Sequence, residues 1–190
     1  MRWLIPLAGA IIAYSLTLYM GFLIWVKLGL PVGPYNMLLT LIGLYISIIG
    51  LRVMRRVVGL QGGARRYFDS EVKTIEYFIN KIDTSAENNK VRNRGKITLI
   101  TTGPYAITRH PAYSGALLTT MGLALILGFP IASIPILYAW LYLVTIIEEA
   151  ELEEKASEYR DYKSKTPRLA PIRLLIVETL DIIRRLGIHV

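Results

Sequence analysis

The sequence predicts an all-helical integral membrane protein. About four transmembrane helices are expected, the last two forming a tight hairpin, with amphipathic helices at the cytoplasmic surface. Hydrophobic residues fill 53% of the 190 positions, and the mean hydropathy of +0.43 is too high for a soluble domain with a polar surface. The apolar residues form four long runs, and arginines gather after the second run. The positive-inside rule describes this charge placement for cytoplasmic loops.

The first two runs predict two transmembrane helices joined by a short turn. Residues 3–28 carry no charge between Trp3 and Lys27, and about 20 helical residues cross the hydrocarbon core. A turn rich in proline and glycine at residues 31–34 leads to the second run, residues 35–54. Because arginines cluster after that run, its end is predicted to be cytoplasmic, and both chain termini with it.

The third and fourth runs, residues 113–129 and 131–147, predict the hairpin. Each lies near the lower limit of about 17 residues for a membrane span. The Gly-Phe-Pro sequence at residues 128–130 leaves room only for a tight turn. Three small side chains of the third run would let another helix approach closely: Gly115, Gly122 and Ala124.

Two further segments predict amphipathic helices on the membrane surface or against the bundle. Apolar side chains recur at helical spacing in residues 65–82, and a polar loop follows at residues 83–95. The same pattern returns in residues 172–188, where five apolar side chains are predicted to face one way: Leu175, Ile176, Leu180, Ile183 and Leu186.

The chain therefore divides into four predicted parts. Residues 1–58 hold the two N-terminal transmembrane helices, and residues 59–96 hold the cytoplasmic amphipathic helix and polar loop. Residues 97–171 hold the helical hairpin and the polar segments on either side of it, and residues 172–190 form the C-terminal amphipathic helix.

Composition excludes several kinds of site. The chain has no cysteine, which rules out disulfides and thiolate chemistry, and its two histidines are far apart in sequence. No metal site is therefore expected. The net charge of +8 is explained by membrane topology, so no nucleic-acid partner is predicted. No signal-peptide cleavage pattern is evident.

Residues 101–115, TTGPYAITRHPAYSG, form an irregular entrance to the third run. Pro104 and Pro111 cannot both lie inside a regular helix, because each lacks a donor and restricts the preceding residue. Irregular backbone near a bilayer must be buried in protein or line a wet cavity. The stretch carries Arg109 and His110, which makes it the first candidate site.

Glu148 and Glu149 follow the fourth run, and the hairpin returns them to the side of Arg109 and His110. Carboxylates beside a membrane are costly unless they are paired or functional. The pair is expected to bind a cationic ligand from the cytoplasm, although it could simply end the span in water. Arg109 could likewise only snorkel to the head groups.

These motifs resemble the isoprenylcysteine carboxyl methyltransferase family and the related phospholipid N-methyltransferases. The resemblance rests on TTGPY, RHPAYSG and EEAEL, and it covers residues 97–171, including EYRDYKSKTPRLAP. This chain has Lys-Ala-Ser at residues 155–157 where family members commonly carry Phe-Gly. Residues 65–95 have no counterpart that aligns, which leaves the acceptor's identity open.

The resemblance implies an integral-membrane methyltransferase that uses S-adenosylmethionine and releases S-adenosylhomocysteine. It places Arg109 near the cofactor carboxylate or the acceptor, gives His110 a catalytic role, and matches Arg168 to a C-terminal arginine of some prokaryotic-type members. It also implies a set of cofactor-binding residues: Gly103, Pro104, Tyr105, His110, Tyr113, Glu148 and Glu149.

The expected reaction is methyl transfer to a lipid-like acceptor that arrives laterally from the bilayer. The carboxylate of a prenylcysteine or a similar isoprenoid is the first choice, and such an acceptor needs no general base. A phospholipid amine is the alternative, and His110 or a glutamate could then assist proton removal.

Two other classes of function share some of these features. Sterol-type membrane reductases that use NADPH contain a similar R-H-P-x-Y-x-G signature, but they usually carry an acidic residue where this chain has Ala116. A non-enzymatic membrane scaffold would use the polar motifs only to end helices.

Overall fold

The computed structural model describes residues 4–29, 37–63, 99–156 and 158–187, and these ranges contain helices and no strand. The all-helical class is therefore confirmed for the described chain. The predicted amphipathic helix at residues 65–82 and the loop at residues 83–95 lie outside those ranges. Six α-helices are described in chain order: α1 (Leu4–Lys27), α2 (Met37–Leu60), α3 (Pro111–Leu127), α4 (Ser133–Lys155), α5 (Tyr159–Lys165) and α6 (Pro171–Arg185). Short 3-10 helices cover Gly103–Ala106 and Phe129–Ala132.

Two of the described helical segments are long and apolar enough to cross a membrane, namely Met37–Leu60 and Pro130–Glu154. Ile11–Lys27 and Pro111–Leu127 are apolar over shorter lengths. Four spans therefore stay a prediction. The second helix runs six residues beyond the predicted end at Met54, so Arg52 lies within it and not at its end.

The contact between α2 and α3 is so close that glycine is required on both helices. A Cβ atom on Gly50 would lie 2.6 Å from the Gly115 carbonyl oxygen, and one on Gly43 would lie 2.5 Å from that of Gly122. Each helix repeats its glycine after seven residues, about two turns, which puts both glycines on one face. The close approach predicted for Gly115 and Gly122 is confirmed.

A tight turn joins α3 to α4, as the Gly-Phe-Pro sequence predicts. Gly128 has φ +82°, a backbone conformation that favours glycine, and its N–H donates to the Ala124 carbonyl at 2.9 Å. The fourth helix then continues past Glu148 and Glu149 to Lys155, so both carboxylates lie on regular helix.

The C-terminal helix α6 packs on α2 and α3. Its Leu174 is fully buried in a core with four side chains from those helices: Ile49, Val53, Val57 and Leu118. The five apolar residues predicted to share one face of α6 do not all pack into this core, because Ile176, Leu180 and Leu186 are exposed. Glu178, one turn after Leu174, is also buried, and its carboxylate pairs with Arg52 and Arg56 of α2.

Candidate active site

Backbone hydrogen bonds join the segment before α3 to the segment before α6. The Arg109 N–H donates to the Pro167 carbonyl at 2.9 Å, and the His110 N–H donates to the Arg168 carbonyl at 3.2 Å. The Thr108 hydroxyl also donates to the Arg168 carbonyl at 2.8 Å. Prolines at the starts of α3 and α6 keep both segments out of the helices. The pairing holds Arg109, His110 and Arg168 together.

His110 precedes the first residue of α3, and both of its ring nitrogens face a carboxylate. Nδ1 lies 3.1 Å from Glu148 Oε2, and Nε2 lies 3.1 Å from Glu149 Oε1. Only the doubly protonated imidazolium can donate to both. Burial lowers the pKa of His110, but the hydrogen bonds with Glu148 and Glu149 outweigh it and leave the pKa above its ordinary value.

Glu149 is almost completely buried, with 2% of its side chain exposed, and is surrounded by cations. Arg168 binds both of its oxygens, from Nε at 3.0 Å and from Nη2 at 2.8 Å. Arg109 Nη2 lies 3.2 Å away, and Lys163 Nζ lies 3.7 Å away. A buried carboxylate is tolerated only when it is paired in this way. Glu149 therefore holds the basic side chains of the site together.

Glu148 has a different environment from Glu149. It is partly exposed and accepts a hydrogen bond from the Tyr113 hydroxyl. The Tyr113 ring stacks on His110, with ring centroids 5.8 Å apart and an interplanar angle of 11°. Glu148, Tyr113 and His110 thus form the more accessible side of the cluster.

Gly103, Pro104 and Tyr105 form a 3-10 turn that packs against the end of α2. Gly103 has φ +63°, and Gln61 Nε2 donates to the Tyr105 hydroxyl at 2.6 Å. The Tyr162 hydroxyl donates to the Tyr105 carbonyl at 2.6 Å, and burial raises the pKa of Tyr162 to about 12. The turn therefore supports the segment that carries Arg109, and its cofactor contact stays a prediction.

Two residues of the cluster were not predicted from the sequence. Lys163 pairs with both Glu149 and Glu153. Tyr159 is fully buried, its hydroxyl has no hydrogen-bond partner among the described residues, and burial raises its pKa. They lie four residues apart on α5, so helical spacing within EYRDYKSK was the available signal.

Within the described ranges, no group of three or more His, Cys, Asp or Glu side chains could hold a metal ion. The cluster instead combines two carboxylates with guanidinium, ammonium and imidazole groups. Such a set can bind a ligand that carries both positive and negative charge.

Part of the chain matches a known protein family. The model of the phospholipid methyltransferase family matches residues 74–158, which include His110, Glu148 and Glu149. No match was found among curated proteins or among solved structures. The match and the two apolar helices point to a membrane protein. Over residues 74–158, the chain is therefore similar to the phospholipid methyltransferase family.

Proposed function

We propose that this protein transfers the methyl group of S-adenosylmethionine to the carboxylate of a lipid-like acceptor, such as a prenylcysteine or a similar isoprenoid acid. The family supports a membrane methyltransferase for lipid-like substrates. The observation that carries the choice of acceptor is the position of His110 between Glu148 and Glu149.

The charged groups of the site suit the cofactor. Glu148 is the accessible carboxylate for a cationic group, and Arg109 is the guanidinium for the cofactor carboxylate, with Tyr113 and His110 beside them. Arg109 Nε and the Tyr159 hydroxyl are buried without hydrogen-bond partners among the described residues, so both have donors available. When bound, the cofactor supplies a sulfonium-activated methyl group, whose C–S electron pair stays on sulfur as the acceptor oxygen forms the new C–O bond.

His110 is unsuited to act as a general base here. In the imidazolium form that the raised pKa favours, both ring nitrogens donate to carboxylates at 3.1 Å, which leaves no lone pair for a substrate proton. An ammonium acceptor has to lose a proton before methylation, whereas a carboxylate is already nucleophilic at neutral pH. The residues then have to align acceptor and methyl group and exclude water. The arrangement therefore favours a carboxylate acceptor.

Methylation of a phospholipid amine is the second candidate, and the family description favours it. In that reaction Glu148 would accept the proton, since it is more exposed than Glu149. A cytoplasmic site, both termini on the cytoplasmic side and lateral entry of the acceptor are parts of the same proposal.

The test uses purified protein with methyl-labelled S-adenosylmethionine and two acceptors, N-acetyl-S-farnesylcysteine and phosphatidylethanolamine. We expect base-labile label, typical of a methyl ester, on the farnesylcysteine. Base-stable label on the phospholipid would establish the amine reaction instead. Calorimetry against S-adenosylhomocysteine and NADPH separates the remaining classes, because a reductase binds only NADPH and a scaffold binds neither.

A further inference from the structure

Building on the proposed function, we propose that Tyr138 and Tyr142 form the docking surface for the apolar chain of the acceptor, with Arg168 binding its anionic head group. The proposal concerns an outward face of α4 that leads to the charged cluster. These side chains would select the acceptor, whereas the charged cluster would bind the cofactor and position the groups for methyl transfer.

Arg168 connects this face to the cluster. Its Nε and Nη2 atoms bind Glu149, and Nη1 has no hydrogen-bond partner among the described residues. The guanidinium also lies over the Tyr142 ring, with Cζ 4.8 Å from the ring centroid, within the range of a cation–π contact. A planar guanidinium can bind carboxylates along more than one edge. Nη1 is therefore available to an anionic group that lies on Tyr142.

The aromatic surface continues from Tyr142 along α4. Tyr138 lies one turn earlier, and the two rings stack with centroids 6.1 Å apart. The two tyrosines are 46% and 41% exposed, although they sit in a segment apolar enough to span a membrane. In a bilayer such a surface faces lipid. A lipid acceptor that diffuses laterally would meet these rings before it reaches Arg168.

The order of groups along this face matches an amphiphile with one anionic end. The cation lies beside the charged cluster, and the stacked rings extend away from it toward the start of α4. An acceptor bound here has its carboxylate at Arg168 and its apolar chain on Tyr142 and then Tyr138. This orientation brings the nucleophilic oxygen to the side of Glu149 and keeps the chain in the apolar layer.

The experiment measures methyl transfer to N-acetylcysteines that carry a prenyl, geranyl or farnesyl thioether in mixed micelles. In the wild type, KM should fall as the chain lengthens, because more apolar surface is buried. Tyr138→Ala should raise KM for the farnesyl acceptor by about tenfold, which corresponds to about 1.4 kcal/mol. It should leave KM for the prenyl acceptor and for S-adenosylmethionine unchanged.

Trp140→Ala is the matched control. Trp140 is 52% exposed on the same helix, but it lies two residues from each tyrosine and therefore faces away from them. Replacing Trp140 with alanine should change none of the KM values. If Tyr138→Ala raises KM equally for all three chain lengths, or if Trp140→Ala and Tyr138→Ala raise it equally, the docking surface is wrong while methyl transfer stays established. A wild type that methylates no acceptor would overturn the proposed function and this proposal together.

Discussion

Arg168 binds Glu149 through two hydrogen bonds, from Nε to Oε1 at 3.0 Å and from Nη2 to Oε2 at 2.8 Å. The pair links the segment after α5 to the buried end of α4. Since the Arg168 carbonyl also accepts the His110 N–H, one residue sets the positions of both the imidazole and the carboxylate.

Arg168→Lys tests this geometry. A lysine keeps the charge but cannot form two parallel hydrogen bonds with one carboxylate. A misplacement of about 1 Å at a reacting centre can reduce the rate by about a hundredfold, and we expect a loss of that size in kcat/KM. Arg173→Lys, at an exposed position of α6, is the control and should retain the wild-type rate. Equal rates for the two variants would contradict a positioning role for Arg168.

The stability of the protein should depend on pH through His110. Its pKa is raised above the ordinary value of 6.5, so its stabilising contribution is complete below that value and is lost as the pH rises through the folded-state pKa. The wild type should therefore exceed His110→Gln in unfolding free energy at about pH 6, with a smaller difference at about pH 9. Denaturant titrations of both proteins in detergent measure this difference in unfolding free energy. A difference in unfolding free energy that does not change with pH would contradict the raised pKa of His110 in the folded protein.

Glu178 should anchor α6 to α2. It is 2% exposed and pairs with Arg56 Nη1 at 2.5 Å and with Arg52 Nε at 3.3 Å. Because both arginines are partly exposed to solvent, Glu178→Gln should cost about 1–3 kcal/mol of unfolding free energy, below the range for fully buried pairs. Asp161→Asn removes an exposed pair with Lys165 and should cost less than about 0.5 kcal/mol. Equal effects in thermal unfolding would show that the Glu178 pairs contribute little.

The glycines of α2 allow a steric test with an internal control. In Gly50→Ala, the new Cβ would lie 2.6 Å from the Gly115 carbonyl oxygen, and forcing the helices apart should cost about 1–3 kcal/mol. In Gly59→Ala, the Cβ meets nothing within 4 Å, so the better helix propensity of alanine should stabilise the protein slightly. Unfolding midpoints of the two variants should therefore move in opposite directions. A stable Gly50→Ala variant would mean that α2 and α3 are less tightly packed.

Several features were predictable because they depend on local sequence. Pro111 begins α3, Gly128 turns the hairpin, and Glu148 and Glu149 lie on uninterrupted helix, as proline, glycine and helix-former patterns indicate. The sequence also predicts that His110 lies on the same side as Glu148 and Glu149, because a hairpin returns the chain to its starting side, but the contact of His110 with both carboxylates is known only from the structure.

Other features depend on tertiary contacts that no local pattern encodes. Arg52 resembled the polar end of a span, yet it lies inside α2 because Glu178 of a distant helix pairs with it. The same pairing places Glu178 on the buried side of α6, whereas Ile176 and Leu180 of the predicted apolar stripe are exposed. The sequence of α2 alone does not predict that Gly43 and Gly50 lie in a close helix contact. Such a contact depends on the residues of both helices, and the structure is needed to show which residues of α3 lie opposite.

The most direct test compares methyl transfer by the wild type and by Glu149→Gln, at equal amounts of protein that remains folded in gel filtration. Glutamine keeps the shape of Glu149 but removes the negative charge that gathers Arg109, His110 and Arg168. The account predicts that label from S-adenosylmethionine enters the lipid acceptor with the wild type and falls by at least about a hundredfold with the variant. Transfer at the same rate by both proteins would contradict it.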